Sequence, residues 1–200
     1  MRRTSSKKKR WQDHHSRQAK KDRFPARSVY KLKEIQKKYR IIKKGDRILD
    51  LGCFPGSWLL YAADMTGDKG QVIGIDLEPV TLKLPPHVQV YTGDVLAMDP
   101  AFFQSLGTGF NLVISDMAPA TTGNKHLDSA RSYHLCQAAL AIAQTLLLPG
   151  GSFVCKIFQG EDFTLFVNAV KSAFNKHKIF KPQSSRKASK EIFIIGMGKI

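Results

Sequence analysis

The sequence predicts an α/β fold in which helices flank a doubly wound, mostly parallel sheet of seven strands. Short apolar stretches bounded by turn residues are typical of buried strands, and six occur at 46–52, 70–77, 88–95, 110–117, 151–158 and 191–198. Helical patterns lie between several of them, at 57–66, 128–147 and 162–176. Strands that alternate with helices are joined by right-handed crossovers, which make the strands parallel.

The first element of the predicted domain is an amphipathic helix that begins near residue 26. Its apolar residues recur at helical spacing with cations between them, at Val29, Leu32, Ile35 and Tyr39. This pattern indicates a helix that packs on a core and presents a basic outer face.

The seventh strand is predicted around residues 178–182. Because the chain returns from there to the stretch at 191–198 without an intervening helix, we expect these two strands to form an antiparallel hairpin.

Charge divides the 200-residue chain into two parts. Residues 1–47 carry 19 Lys or Arg and 4 Asp or Glu, a net of 19 − 4 = +15, whereas residues 48–200 carry a net of 13 − 12 = +1. We therefore predict a basic, flexible arm at 1–23, which would attract a polyanion such as RNA, and one domain at 24–200.

Composition excludes several classes of protein. No stretch approaches eighteen consecutive apolar residues and the basic N-terminus has no signal-peptide core, so we expect a soluble, cytoplasmic protein without membrane contact. The three cysteines, Cys53, Cys136 and Cys155, form no Cys-x-x-Cys pair. Since the adjacent His14 and His15 diverge and have no third ligand nearby, we expect no metal.

A cofactor site is predicted at the carboxyl ends of the strands, where ligands bind in such sheets. The turn from Gly52 to Gly56 lacks both G-x-G-x-x-G spacing and the Gly-Lys-Ser/Thr ending of a phosphate loop. Asp76, 24 residues after Gly52, can accept hydrogen bonds from ribose hydroxyls, and Asp94 suits an adenine amino group. Carboxylates without a phosphate cradle favour S-adenosylmethionine as the cofactor.

Lys156 stands in the apolar stretch "GSFVCKIF", which reads as a buried strand. An ammonium group is costly to bury unless it is paired, so the position calls for an explanation. A lysine at the end of a strand can reach solvent with its head group, and that ordinary interpretation would make Lys156 a structural residue.

Several motifs together resemble the FtsJ-like RNA 2′-O-ribose methyltransferases. The likeness spans about residues 24–198 and rests on "RSVYKL", "LDLGCFPGSW", "GIDL", "GDV", "SDMAP", "GGSFVCKIFQG" and "RKASKEIFIIG". The resemblance implies a Rossmann-like S-adenosylmethionine-dependent methyltransferase fold. It also implies a catalytic tetrad whose matching positions here are Lys31, Asp116, Lys156 and Glu191.

The same resemblance implies a set of cofactor contacts. Together with Gly52 of the predicted turn, the matching positions are Gly56, Trp58, Asp76, Asp94 and Asp116. Ser57 departs from the family, in which a second glycine often follows Pro-Gly, and we expect a slightly altered turn with binding retained.

Two roles for Lys156 stay open on physical grounds. Methyl transfer needs a ribose 2′-oxygen in line with the methyl group, and it needs the proton of that oxygen removed or the developing charge stabilised. To act as a base near neutral pH, a lysine must have its pKa lowered by burial or by a second cation such as Lys31. Asp116 and Glu191 would oppose this lowering of the pKa. Of the two roles, the resemblance implies that Lys156 is the general base.

For a compact chain of this length with a basic arm, the resemblance implies a uridine of 23S ribosomal RNA within the large subunit as the substrate. We expect the protein to be a monomer. Methylation of a tRNA is the alternative within the family. The loop "DMAPAT" lacks the aromatic residue of base-amine methyltransferases, and no cysteine is placed as a pyrimidine nucleophile. A non-catalytic RNA-binding assembly factor is a further alternative, although such a protein has no need for Lys156.

Overall fold

The computed structural model describes residues 6–186 and 188–200, and the side chains of residues 14–186 and 188–200. The described helices are α1 (Ser6–Lys21), α2 (Val29–Tyr39), α3 (Ser57–Thr66), α4 (Pro100–Ser105), α5 (Lys125–Leu146) and α6 (Phe163–Ala173). The strands are β1 (Arg47–Leu51), β2 (Gln71–Asp76), β3 (Val88–Thr92), β4 (Phe110–Ser115), β5 (Leu147–Phe158), β6 (Phe174–Phe180) and β7 (Glu191–Lys199). In this part of the chain no helix has the length and hydropathy needed to cross a bilayer.

All seven strands belong to one sheet in the order β3-β2-β1-β4-β5-β7-β6. The five strands from β3 to β5 run parallel. The last strand, β7, lies antiparallel between β5 and β6. The predicted fold class and the predicted antiparallel hairpin are both confirmed.

Alternation along the strands divides the core between the two faces of the sheet. In β1, Leu49 and Leu51 point to a core shared with α4, α5 and α6. Ile48 points to the opposite core, which is shared with α2 and α3. This division follows from the period of two in a strand. Because the helices cover the two faces of the sheet, the carboxyl ends of the parallel strands stay open at one edge.

Two boundaries differ from the prediction because a helix and a strand meet there without a loop. The strand β5 begins at Leu147, directly after α5, and not at residue 151. The helix α6 ends at Ala173, and β6 begins at Phe174 and not near residue 178. Phe174 is buried and stacks on Phe153 with ring centroids 6.0 Å apart, so packing on the sheet ends the helix early.

The short helix α4 was not predicted, because six residues are too few for a periodic pattern. A local signal was present, since Asp99 caps the helix by accepting a hydrogen bond from the N–H of Ala101, and Pro100 occupies the first turn.

The predicted arm contains regular structure. Residues 6–21 form α1, whereas residues 1–5 lie outside the described residues. Ala19 is buried, and the Tyr30 hydroxyl donates to Oδ2 of Asp22 at 2.9 Å, so the end of the arm packs against α2. The flexibility of the arm and the boundary at residues 23 and 24 stay predictions.

Candidate functional site

The carboxyl ends of the parallel strands surround a cavity of about 190 Å³. Four of the predicted cofactor residues line it, namely Gly52, Asp76, Asp94 and Asp116. Apolar groups complete the lining, among them Phe54, Leu77, Val95, Met117 and Leu135. The cavity therefore combines apolar walls with carboxylates, which is the composition of a small-molecule site.

The two glycines of the turn after β1 are required by backbone conformation and space. Gly52 has a φ of +80°, and a Cβ there would lie 2.5 Å from Cγ of Met117. Gly56 has a φ of +103° and caps the N-terminus of α3, although it does not line the cavity. Positive φ favours glycine, so the chain can turn closely around the edge of the cavity.

Asp76 and Asp94 are both fixed by backbone N–H groups. Asp76 accepts from Phe54 N at 2.8 Å through Oδ2 and from Glu78 N at 3.0 Å through Oδ1. Asp94 accepts from Leu96 N at 2.9 Å. Because a carboxylate oxygen can accept more than one hydrogen bond, these contacts orient the two acids and leave acceptor capacity for a ligand.

Trp58 lies away from the cavity. Its indole N–H donates to the carbonyl of Ser28 at 2.8 Å, and its ring stacks on Phe193 with centroids 5.8 Å apart. The neighbouring Ser57 hydroxyl bonds both backbone groups of Ala26, at 2.7 and 3.1 Å. A glycine at position 57 could make neither bond, so the departure from the family ties α3 to the segment before α2.

The four residues of the predicted tetrad come together although 160 residues separate the first from the last. The Lys31 Nζ atom lies 2.9 Å from Oε2 of Glu191 and 3.4 Å from Oδ1 of Asp116. On the other side of Asp116, the Lys156 Nζ atom lies 2.9 Å from the same Oδ1. Lys156 also donates to the backbone carbonyl of Asp116. The tetrad is thus a chain of ion pairs in the order Glu191, Lys31, Asp116, Lys156.

Pairing dominates the electrostatics of this cluster. Burial by itself would raise the pKa of Asp116, but Lys156 and Lys31 outweigh it and hold that pKa below its ordinary value. Burial likewise would lower the pKa of Lys31, but Asp116 and Glu191 outweigh it and raise that pKa. The side chain of Lys156 is only 6% exposed, so it does not reach solvent in the way that the ordinary interpretation of a strand-end lysine requires.

Sequence reasoning missed Asp50, a carboxyl group inside β1. Its side chain is fully buried, and neither oxygen has a hydrogen-bond partner among the residues that the structure describes. Burial raises the pKa of Asp50, and the nearby carboxylates of Asp116 and Asp76 raise it further. The signal was the one that drew attention to Lys156, namely a charged residue within an apolar strand, here in "RILDL".

This arrangement fits a cationic nucleoside. Asp116 and Asp76 are close enough to Asp50 to disfavour its ionisation, and a positively charged ligand beside these acids would offset that repulsion. Asp116 connects the two halves of the site, because it lines the cavity and also binds both lysines. A ligand in the cavity would therefore lie next to two ammonium groups that can bind or activate an acceptor oxygen.

Comparisons with known proteins match this chain along nearly its whole length. A family model described as FtsJ-like methyltransferase matches residues 24–199. The ribosomal RNA large subunit methyltransferase E of Desulforapulum autotrophicum is 57% identical over 197 residues, which cover 98% of this chain and 97% of that protein.

Solved structures resemble the fold. A ribosomal RNA methyltransferase of Plasmodium falciparum has a TM-score of 0.77 at 26% identity and covers 88% of this chain and 98% of that chain. The fibrillarin of Aeropyrum pernix, solved with bound S-adenosyl-L-methionine, has a TM-score of 0.55 at 16% identity, covering 78% of this chain and 68% of that chain. This second likeness shows the fold alone.

Proposed function

The chain belongs to the FtsJ-like methyltransferase family, and from that premise we propose that it methylates the 2′-hydroxyl of a ribose in large-subunit ribosomal RNA. The methylated nucleotide is a uridine in this proposal, and the acting species is a monomer. A single chain supplies all four residues of the Lys31, Asp116, Lys156 and Glu191 cluster, so a monomer has the complete site.

The observation that carries the proposal is the position of Asp116 between the cavity and the two lysines. Its carboxylate contacts Lys156 and Lys31 on one side, while the residue lines the cavity on the other. Positioning of this kind is what a transfer between two bound groups requires, because the reacting atoms must lie about 3 to 3.5 Å apart. A protein that only bound RNA would need no such paired ammonium groups.

S-adenosylmethionine is the methyl donor, and it supplies a methyl group on a positively charged sulfonium. Asp76 would hold its ribose hydroxyls and Asp94 its adenine amino group, while Gly52 gives the backbone room to approach. The carboxylates of Asp76 and Asp116, which line the cavity, provide the negative environment that suits the positive charge.

Lys156 would act on the 2′-hydroxyl in one of two ways. As an ammonium it has three N–H donors, of which Asp116 accepts two, and the third would bind the 2′-oxygen while negative charge develops there. As a neutral amine it would keep both bonds to Asp116 and present its lone pair to the hydroxyl proton. A substitution by arginine, which cannot lose its proton, separates the two roles.

The basic face of α2 supports an RNA substrate. Lys37 and Lys38 are exposed on the last turn of the same helix that sends Lys31 into the cluster. Within residues 1–47 the excess of positive charge is 19 − 4 = +15. An RNA that bound this face would therefore lie beside the methyl-transfer site.

The test is to incubate the purified protein with methyl-labelled S-adenosylmethionine and, separately, with large ribosomal subunits, free ribosomal RNA and tRNA that lack their native methylation. Nucleoside analysis then identifies the labelled product. We expect 2′-O-methyluridine from large-subunit RNA.

Other outcomes would each contradict a different part of the proposal. Label in tRNA alone would move the substrate to the alternative within the family. Label on a base would overturn the assignment of the ribose. Absence of label from every RNA, with the cofactor still bound, would favour the non-catalytic assembly factor.

A further inference from the structure

Glu34, the one carboxylate in the sequence of α2, binds the backbone of a segment about 150 residues away in the chain. Its Oε2 atom accepts from Gln183 N at 2.6 Å, and its Oε1 atom accepts from Ser184 N at 2.8 Å. Hydrogen bonds to an ionised acceptor are about twice as strong as neutral ones. Glu34 thus fixes the start of the connection between β6 and β7 to α2.

Arg27 completes this attachment from the segment before α2. Its Nη2 atom donates to the carbonyl oxygen of Ser184 at 2.9 Å. Both backbone groups of Ser184 are therefore held, the N–H by Glu34 and the carbonyl by Arg27. The residue is buried, with 3% of its surface exposed, so the attachment lies within the packed protein.

Further hydrogen bonds are found between this attachment and Glu191. The N–H of Ser185 donates to the carbonyl of Pro182 at 3.1 Å, and the N–H of Ser189 donates to the carbonyl of Arg186 at 2.8 Å. The N–H of Glu191 then donates to the hydroxyl of Ser189 at 3.1 Å.

The sheet also holds the far end of the connection, where Glu191 pairs with Phe158 and the N–H of Gln159 donates to the carbonyl of Lys190 at 3.0 Å. The attachment by Glu34 and Arg27 therefore fixes the other end of the segment that leads to Glu191.

Lys31 and Glu34 lie three residues apart and therefore on the same side of α2. Lys31 contacts Glu191 at the end of the connection, and Glu34 contacts residues 183 and 184 at its start. One face of one helix thus contacts both ends of the segment that delivers Glu191 to the tetrad.

We propose that Glu34 is a positioning residue for methyl transfer, which acts through the backbone of residues 183 and 184 to hold Glu191 beside Lys31. This inference rests on the proposed function. Glu34 itself touches none of the tetrad residues in the described contacts, so its effect on the tetrad is indirect.

The test is a double-mutant cycle on purified protein that combines Glu34→Gln with Glu191→Gln. The amide of Glu34→Gln keeps one acceptor oxygen and loses the charge, so one of the two bonds is lost and the other weakened. We expect kcat for methyl transfer to fall by about 10- to 100-fold, as small displacements of catalytic groups do, with KM for S-adenosylmethionine within about two-fold. Because Glu34 acts through Glu191, Glu34→Gln should cause no further loss in the Glu191→Gln background.

Controls separate positioning from general damage. Asp64→Asn removes a carboxylate from an exposed position on α3 and should leave kcat and the melting temperature unchanged. Should Glu34→Gln fail to fold, Glu34→Asp keeps the charge on a shorter side chain and enters the same cycle. Unchanged kcat, or losses that multiply in the double variant, would overturn the inference.

Hydrogen–deuterium exchange keeps this inference separate from the proposed function. We expect faster exchange in peptides that cover residues 183–191 of Glu34→Gln than in the wild type. If the wild type methylates no RNA, the proposed function fails, and exchange alone then decides whether Glu34 holds the segment. If these peptides exchange at the same rate in Glu34→Gln and in the wild type, Glu34 does not hold the segment.

Discussion

The Nζ atom of Lys156 contacts two oxygen atoms of a single residue, Oδ1 of Asp116 at 2.9 Å and the backbone carbonyl of Asp116. One of these oxygens belongs to a side chain and the other to the main chain at the end of β4. The lysine is therefore oriented by the residue that also lines the cofactor cavity, and the two halves of the site are fixed relative to each other.

Replacing Lys156 by alanine should abolish catalysis and spare cofactor binding. The ammonium group contacts Asp116 and does not line the cavity. We expect the single-turnover rate to fall by about 10²- to 10⁴-fold, the usual contribution of a proton-transfer group, while calorimetry gives a nearly unchanged Kd for S-adenosylmethionine. Loss of binding together with loss of folding would make Lys156 structural.

Lys156→Arg distinguishes the two roles of this residue. Arginine stays charged at every accessible pH, so it can stabilise a developing oxyanion but cannot accept a proton. Measurable activity in Lys156→Arg, well above that of Lys156→Ala, would exclude the base. Equal inactivity of the two variants, with folding intact, would favour it.

Replacing Asp76 by alanine should weaken cofactor binding. The carboxylate holds the N–H groups of Phe54 and Glu78 in place and would bind ribose hydroxyls. Hydrogen bonds to a charged group contribute about 1.5 to 3 kcal/mol, so we expect Kd to rise by about 10- to 100-fold in titration calorimetry. Asp68→Ala, at an exposed turn, is the matched control, and equal affinities of the two variants would refute the assignment of Asp76.

Neutralising the arm should reduce the salt dependence of RNA binding. Residues 1–22 carry nine Lys or Arg and two Asp, a net of 9 − 2 = +7. Because Ala19 is buried, replacing residues 7–10 by glutamine is a cleaner change than deletion. We expect the slope of log K against log salt to flatten by about 0.7 to 0.9 for each phosphate that the variant no longer neutralises. An identical slope would mean that these cations touch no RNA.

Asp50→Asn should stabilise the ligand-free protein at alkaline pH. Burial first, and then Asp116 and Asp76, raise the pKa of Asp50 in the folded state. The folded protein therefore binds this proton more tightly than the unfolded chain, and the free energy of unfolding falls as pH rises from the ordinary aspartate range towards the folded pKa.

The measurement is urea unfolding of both proteins at pH 4 and pH 8. The amide does not titrate, so the free energy of unfolding of Asp50→Asn at pH 8 should exceed that of the wild type by about 1.4 kcal/mol for each pH unit between the unfolded and the folded pKa of Asp50. This difference in the free energy of unfolding should be smaller at pH 4, where Asp50 of the wild type approaches its protonated, neutral form. A variant less stable than the wild type at pH 8 would contradict this account of Asp50.

Much of the fold could be predicted from local patterns. The bounds of α3 match the prediction, because Gly56 and Gly67 mark its two ends. The start of β5 could not be predicted, since buried Leu146 ends a helix and buried Leu147 begins a strand without any turn residue between them. Apolar residues at such a junction are compatible with either a helix or a strand, and pairing with the neighbouring strand determines which of the two forms.

The site was predicted unevenly for a related reason. Lys156 is conspicuous because a charge in an apolar strand needs a partner, and the same reasoning would have found Asp50. Glu34 gave no such signal, since it is one charged residue on a charged helix. Its two bonds go to main-chain N–H groups 149 and 150 residues away. Every residue except proline has such a group, so the sequence does not indicate which of them will bind Glu34.

The insertion of β7 between β5 and β6 bears on the order in which the molecule folds. β7 is the last strand along the sequence, so it is also the last to become available while the chain is synthesised. An intermediate that lacked β7 could already hold Asp76 at the end of β2 and Asp94 in the turn after β3, but Lys31 would have no contact with Glu191. We therefore expect such an intermediate to bind the nucleoside before it gains the ability to methylate.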